Sequence, residues 1–191
     1  MTLLQIMPDE APQEVTLRTD DAEVIQGELS NIGVRYERWA ADHPLPADLA
    51  DSEITDAYSS HIDRICAEEG YRLVDVARMT PAPEDPNWPA LARKAREKFL
   101  EEHFHTEDEV RFFVEGTGCF YLHVNGKVYA MVCTSGDLLS VPSRTVHWFD
   151  MGSEPHFTAI RFFQEEDGWV GQFLPHSIAS RFPTLDELRS A

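Results

Sequence analysis

The feature that most narrows the possible folds is a change of period near residue 100. Beyond it, apolar side chains recur every second residue in runs at 110–114, 119–124, 127–133, 137–141, 145–150 and 157–163. Period two sends alternate side chains to opposite faces of an extended chain, so these runs predict short strands with a buried face. Val124-Asn125-Gly126-Lys127 links two of them through residues that tolerate positive φ, which predicts a type I′ hairpin. Many short antiparallel strands punctuated by Gly and Pro fit a barrel or a double-sheet jelly roll.

The first hundred residues read as helices broken by prolines. From Thr19, a candidate N-cap, Ala22, Ile25, Leu29 and Ile32 follow helical spacing up to Gly33. Residues 34–39 alternate like a short strand. A second helix is predicted from about Asp51 to Gly70, with Ile54, Ala57, Tyr58, Ile62, Ile65 and Cys66 on one stripe. Prolines 81, 83, 86 and 89 mark a loop, and residues 90–100 predict a third helix. A single domain over 1–191 accommodates this: a helical N-terminal portion (1–100), barrel strands (101–175) and a C-terminal tail (176–191). The class is mainly β with flanking helices.

Charge removes two kinds of partner. Thirty-four acidic and 16 basic side chains leave a net charge of −18, with no run of Lys or Arg, so neither nucleic acid nor an anionic membrane is expected to bind. The apolar runs are too short to span a bilayer, and residues 1–12 lack the basic and apolar regions of a secretory signal. Cys66, Cys119 and Cys133 are odd in number and have no CxxC spacing, which points to a reducing compartment, the cytoplasm by default. Cys119 and Cys133 lie in alternating apolar runs and read as buried. An anionic substrate would need local positive charge.

The chemistry-bearing cluster begins at His103-Phe104-His105-Thr106-Glu107-Asp108-Glu109. In an uninterrupted strand His103, His105, Glu109 and Arg111 would share one face, with Phe104, Val110 and Phe112 opposite. His147 comes from a later strand, just after Pro142. Three imidazoles and one carboxylate suit Fe(II), Ni(II), Mn(II) or Co(II), and without a thiolate they do not resemble a structural zinc site. His103-x-His105-x3-Glu109-x6-Gly116, then Gly136-x5-Pro142-x4-His147, matches the two-part cupin signature. Arg144 and Met151 stand where that pattern has glycine and asparagine, departures that touch turn chemistry and not the ligands. Of the remaining histidines, His43 and His61 read as surface residues of the helical half and His156 and His176 as loop residues, while His123 shares parity with Tyr121 and Cys119 and nothing in the pattern requires it as a ligand.

Residues 97–116 (EKFLEEHFHTEDEVRFFVEG) and 141–163 (VPSRTVHWFDMGSEPHFTAIRFF) closely resemble the acireductone dioxygenase family of methionine salvage. Residues 33–39, the 58–71 helix region, 167–173 (DGWVGQF) and 178–183 are similar to it too, so the likeness runs over nearly the whole chain. It implies a cupin β-barrel holding one Fe(II) or Ni(II) per chain through His103, His105, Glu109 and His147. By the same resemblance Arg111 helps to hold the substrate as its dianion, and Phe99, Phe149 and Arg161 contact it. Glu102 falls on a position linked to metal incorporation, and Asp108 on one linked to relaying conformational change. Trp169 lies in a similar segment. A monomer acting on an acireductone and O2 is expected.

Charge supports the reading of Arg111. A divalent ion plus one carboxylate carries about +1, so a bound dianion leaves the site at −1 until a guanidinium restores neutrality. The alternative is that Arg111 only pairs with Glu109 or Asp108. Two other functions fit a metal-binding cupin: a protein that senses or stores a small ligand without turnover, and a non-redox isomerase, which would consume no oxygen.

Overall fold

The computed structural model describes residues 1–44, 46 and 49–190. The chain opens with β1 (Leu3–Pro8), β2 (Leu17–Thr19), α1 (Ala22–Ser30) and β3 (Arg35–Arg38). Next come α2 (Asp51–Ala57), α3 (Ser59–Glu69), β4 (Leu73–Met79) and α4 (Trp88–Glu97). The strands β5 (His103–Phe104), β6 (Glu109–Val124), β7 (Lys127–Thr134), β8 (Asp137–Val141), β9 (Val146–Asp150), β10 (Phe157–Phe163) and β11 (Gln172–Phe173) follow. A 3-10 turn (Ala179–Arg181) and α5 (Leu185–Ser190) complete it.

One strand organises the rest. The first half of β6 pairs with β8 and β10, and its second half pairs with β7 and β9. Two antiparallel sheets are thereby joined, one running β4-β10-β6-β8-β3 and the other β11-β5-β9-β6-β7-β1-β2. This is the jelly-roll barrel expected of a cupin. Its interior holds Leu4, Ile6, Phe113, Phe120, Leu122, Met131 and Phe149. The outer face of one sheet buries Val110, Phe112, Ile160 and Phe162 under Ile54, Tyr58, Ile62 and Ile65 of the helical segment. The other sheet buries Tyr121, Val132 and Trp148 under Phe182, Leu185 and Leu188 of the C-terminal segment. Each sheet is thus covered on both faces, which accounts for the many fully apolar strands.

Several sequence expectations need correction. The first hundred residues supply four strands as well as helices, and β1, β2 and β4 were not foreseen. Asp21, not Thr19, caps α1: its Oδ1 accepts the Glu23 and Val24 N–H groups at 2.9 and 3.2 Å. The helix read over 51–70 breaks at Tyr58, whose backbone leaves helical geometry. Its end is as expected, with Gly70 in the left-handed conformation at φ +80°. The third helix, at 88–97, starts two residues earlier than expected and ends three earlier. The runs 110–114 and 119–124 are one strand, β6. Asn125 and Gly126 have φ of 53° and 72°, as the type I′ hairpin requires.

β1 is tied down by a buried acid. Asp137 is fully buried and accepts from Thr2 Oγ1 (2.6 Å), Tyr36 Oη (2.9 Å), Arg38 Nη1 (2.7 Å) and Thr134 N (2.7 Å). Three segments distant in sequence meet on that one carboxylate. Asp137→Ala would leave those donors unpaired, and we expect a loss of about 3 kcal/mol in urea unfolding. Asp137→Asn, which keeps one acceptor, should lose less. Unchanged stability in both variants would show that the network holds nothing together.

Candidate metal centre

The β5–β9 pairing sets His103 directly opposite His147. His105 follows β5 at once, but the chain then leaves extended geometry, and β6 starts only at Glu109. The uninterrupted strand expected across 103–111 is therefore absent. The side chains converge regardless, because the intervening turn is fastened from the 143–144 segment. Asp108 Oδ1 accepts the Ser143 N–H at 2.8 Å, Ser143 Oγ donates to Thr106 O at 2.9 Å, and Arg144 N donates to His105 O at 2.9 Å. Arg144 has φ +63°, so the position where the cupin pattern has glycine does adopt left-handed geometry here. A non-glycine residue in that conformation costs on the order of 1 kcal/mol.

His103, His105, Glu109 and His147 each bring one ligand atom to within 4.8 Å of the others. The three histidines and Arg111 are buried, and Glu109 nearly so. His103 Nδ1–H donates to Glu101 O and His147 Nδ1–H to Thr145 O, each at 2.8 Å. Those carbonyls hold the proton on Nδ1 and leave each Nε2 lone pair facing the cluster. Burial and the adjacent His147 push His103 down to about 4, so it is a neutral imidazole near neutral pH.

His105 Nδ1, His147 Nε2 and Glu109 Oε2 are buried without a hydrogen-bond partner. His147 Nε2 and Glu109 Oε2 lie 2.7 Å apart yet are not aligned as donor and acceptor. Orphaned buried atoms in one cluster are what an ion-binding set leaves when each lone pair is meant for a cation. Three nitrogens and one oxygen fit a divalent ion that tolerates mixed ligands.

Arg111 stands beside this cluster. Its Nη2 contacts Glu109 Oε1 at 2.5 Å, and its guanidinium carbon lies 4.5 Å from the Phe149 ring centre and 5.2 Å from that of Phe120. Burial would push the Glu109 carboxyl up, but Arg111 and the neighbouring imidazoles hold it well below the usual carboxylate range. Burial likewise pulls Arg111 down, and Glu109 opposes that. Arg111 Nε is buried and has no partner, so a charged donor is left for something else.

The cluster opens onto a cavity of about 10 Å³, room for one water molecule. Its walls include Phe99, Arg111, Arg161, Phe163 and Trp169. Phe149 lies under Arg111 and is not among these walls. Arg161 is on the wall, but Asp75 already holds its guanidinium in two hydrogen bonds of 2.8 and 2.6 Å. Glu102 points away from the cluster: Oε1 accepts from His123 Nδ1 (2.6 Å) and Oε2 from Ile178 N (2.8 Å). It ties the first histidine pair to the C-terminal segment. Asp75, His123 and Ser143 support the site and were not singled out from the sequence. No local spacing signals them, because each reaches its partner across at least 21 residues.

The comparisons with known proteins agree with this geometry. Residues 4–171 match the model of the ARD/ARD' family. Acireductone dioxygenase 1 of Nocardia farcinica is 56% identical, covering 98% of this chain and 99% of its own. Acireductone dioxygenase of Saccharopolyspora erythraea is 51% identical over the full length of both chains. Among solved structures, an acireductone dioxygenase from Bacillus anthracis with a cadmium ion in its active centre is 28% identical, with a TM-score of 0.74, covering 91% of this chain and 98% of that one. A jelly-roll barrel, a buried His3Glu cluster and full-length identity above one half converge on one assignment: this chain belongs to the acireductone dioxygenase family.

Proposed function

We propose that the protein is a metal-dependent dioxygenase that cleaves the acireductone 1,2-dihydroxy-5-(methylthio)pent-1-en-3-one with O2. The observation that carries this is the pairing of the ligand cluster with a buried arginine that has an unused donor. On this reading, Fe(II)-loaded protein yields 4-methylthio-2-oxobutanoate and formate, and Ni(II)-loaded protein yields 3-(methylthio)propanoate, formate and carbon monoxide. The free thiols support a cytoplasmic, reducing setting, with Cys119 and Cys133 buried and Cys66 half-buried. Among the described residues, no helix is long and apolar enough to cross a membrane. We take the working unit to be a monomer.

His103, His105, Glu109 and His147 would hold the ion, which when bound would supply Lewis acidity to an oxygen substrate. The chain does the rest. Arg111 Nε and its charge would stabilise a substrate bound as its enediolate, while Nη2 keeps one Glu109 oxygen engaged. Phe149 and Phe120 fix the guanidinium plane from beneath and exclude water. Phe99, Phe163 and Trp169 form an apolar wall suited to the methylthio tail.

His147→Ala should lower bound metal well below one per chain by elemental analysis, because it removes one of four protein ligands. Full metal content and full turnover in that variant would break the link between the two motifs. Arg111→Ala should keep the ion but lose roughly 10²–10³-fold in kcat/KM, a loss of about 3–4 kcal/mol at a desolvated site. Arg111→Lys should recover only part of this, since an ammonium keeps the charge and not the planar fork. Normal turnover per bound metal in Arg111→Ala would reduce Arg111 to a structural partner of Glu109. Metal and ligand binding without oxygen uptake would favour a sensing or storage protein.

A further inference from the structure

The proposed substrate must meet the ligand cluster within the walls of this cavity, and those walls are held in different ways. The ligand side is fixed by strand pairing, and Asp75 clamps Arg161. The segment 164–171, which carries Trp169, is fastened differently. At its far end β11 pairs with β5, setting Phe173 against His103. Gly171 lies so close to the His103 ring that a Cβ there would sit 3.0 Å from Cδ2. At its near end the anchor is a side chain. Glu107 Oε2 accepts the Gln164 N–H at 2.9 Å, and Gly168 closes over the same carboxylate, where a Cβ would sit 2.5 Å from Oε2. Gly168 is buried by this contact while Trp169, the next residue, is 43% exposed. The Trp169 ring lines the cavity, and Lys98 Nζ lies 4.6 Å from its centre.

We propose that Glu107 is a positioning residue: its carboxylate seats the 164–168 turn and thereby holds Trp169 across the mouth of the metal-facing cavity. Glu107 stands between the ligands His105 and Glu109, so the wall is keyed to the same turn that presents them. It touches no reacting atom. The effect on turnover rests on the function proposed above. The effect on Trp169 does not.

The test uses metal-loaded protein and two readouts. One is acrylamide quenching of Trp169 fluorescence, isolated by subtracting the matching Trp169→Phe protein. The other is the split between KM and kcat for the acireductone. Glu107→Ala should make Trp169 more quenchable and raise KM about tenfold with little change in kcat, because binding geometry is lost while the reacting groups stay in place. Metal content and melting temperature should be unchanged. Glu107→Gln keeps a carbonyl acceptor for Gln164 N–H and should stay close to the parent in both readouts. Gly168→Ala should evict the carboxylate and reproduce Glu107→Ala, and the double variant should add nothing further. Unchanged Trp169 quenching in Glu107→Ala, metal loss in proportion to activity, or additive single effects would each overturn the proposal. If the parent protein fails to turn over acireductone, the function reading falls, and the quenching comparison still decides the role of Glu107.

Discussion

One backbone contact governs the geometry of both sheets and of the site between them. Gly116 has φ +75°, and a Cβ at that position would fall 2.0 Å from the His156 carbonyl oxygen, which accepts the Thr117 N–H at 3.0 Å. Nothing but glycine fits there. At this point β6 leaves one sheet for the other, and its register with β10 slips between Thr158 and Ala159. A slip of one residue reverses which side chains face inward. Before it the interior receives Glu109, Arg111 and Phe113; after it the interior receives Phe120 and Leu122. Without that reversal Cys119 and Tyr121 would point at the metal cluster, and Phe120 could not lie beneath Arg111. Glu109 and Arg111 from the first half of the strand and Phe120 from the second thus meet at one site, and the kink makes that possible.

The same reasoning shows what could be read from the residues and what could not. β7, β8, β9 and β10 were legible as short apolar runs bounded by turn residues, Asn125-Gly126, Gly136, Pro142 and Gly152, although both of their faces are largely buried. The ligand set was legible because the cupin spacing specifies residue types and not merely hydrophobicity. β1 (LLQIMP) escaped because it is buried on both faces, so its sequence shows no alternation. Among the described residues β4 pairs with β10 alone, at a sheet edge, and it carries charged residues at 75 and 78, which hides its strand character. The parity of 103–111 led to the correct convergence through a wrong intermediate. The strand is broken at 105–108, and hydrogen bonds from Ser143 and Arg144 supply the order that strand pairing was expected to supply. Such cross-chain supports are set by tertiary packing, and no local pattern encodes them.

Electrostatics explains why a chain of net charge −18 can serve an anionic substrate. The excess acid lies largely on exposed surface, where solvent and salt screen it. Inside the barrel the balance is local and nearly neutral: Glu109 against Arg111, with three imidazoles beside them. A divalent ion shifts that balance by two positive charges, and a dianion returns it. The buried arginine is costly in isolation, and Glu109 together with two aromatic faces offsets the cost. Arg161 is spared a similar penalty because Asp75 meets it near the surface. This makes Arg161 a poor source of free positive charge, even though its backbone pairs with that of Arg111.

Rigidity and access are therefore divided between different parts of the site. His103, Glu109 and His147 come from paired strands, His105 is held through its carbonyl by Arg144 N, and the imidazole protons of His103 and His147 are fixed by carbonyls two residues away. Among the described residues, the wall bearing Trp169 has local turn bonds, Gly168 N to Glu165 O and Val170 N to Asp167 O, and side-chain anchors at Gln164 in place of strand pairing. Local opening draws on the least protected backbone first, so the entrance can yield at this wall without disturbing the ligands. A cavity with room for one water molecule keeps bulk solvent from the ligand cluster, and in so dry a site the proposed pull of Arg111 on an enediolate would be strengthened. Closure and charge stabilisation thus depend on the same few residues between His103 and Arg111, because the turn that presents the ligands also carries the acid that fastens the wall.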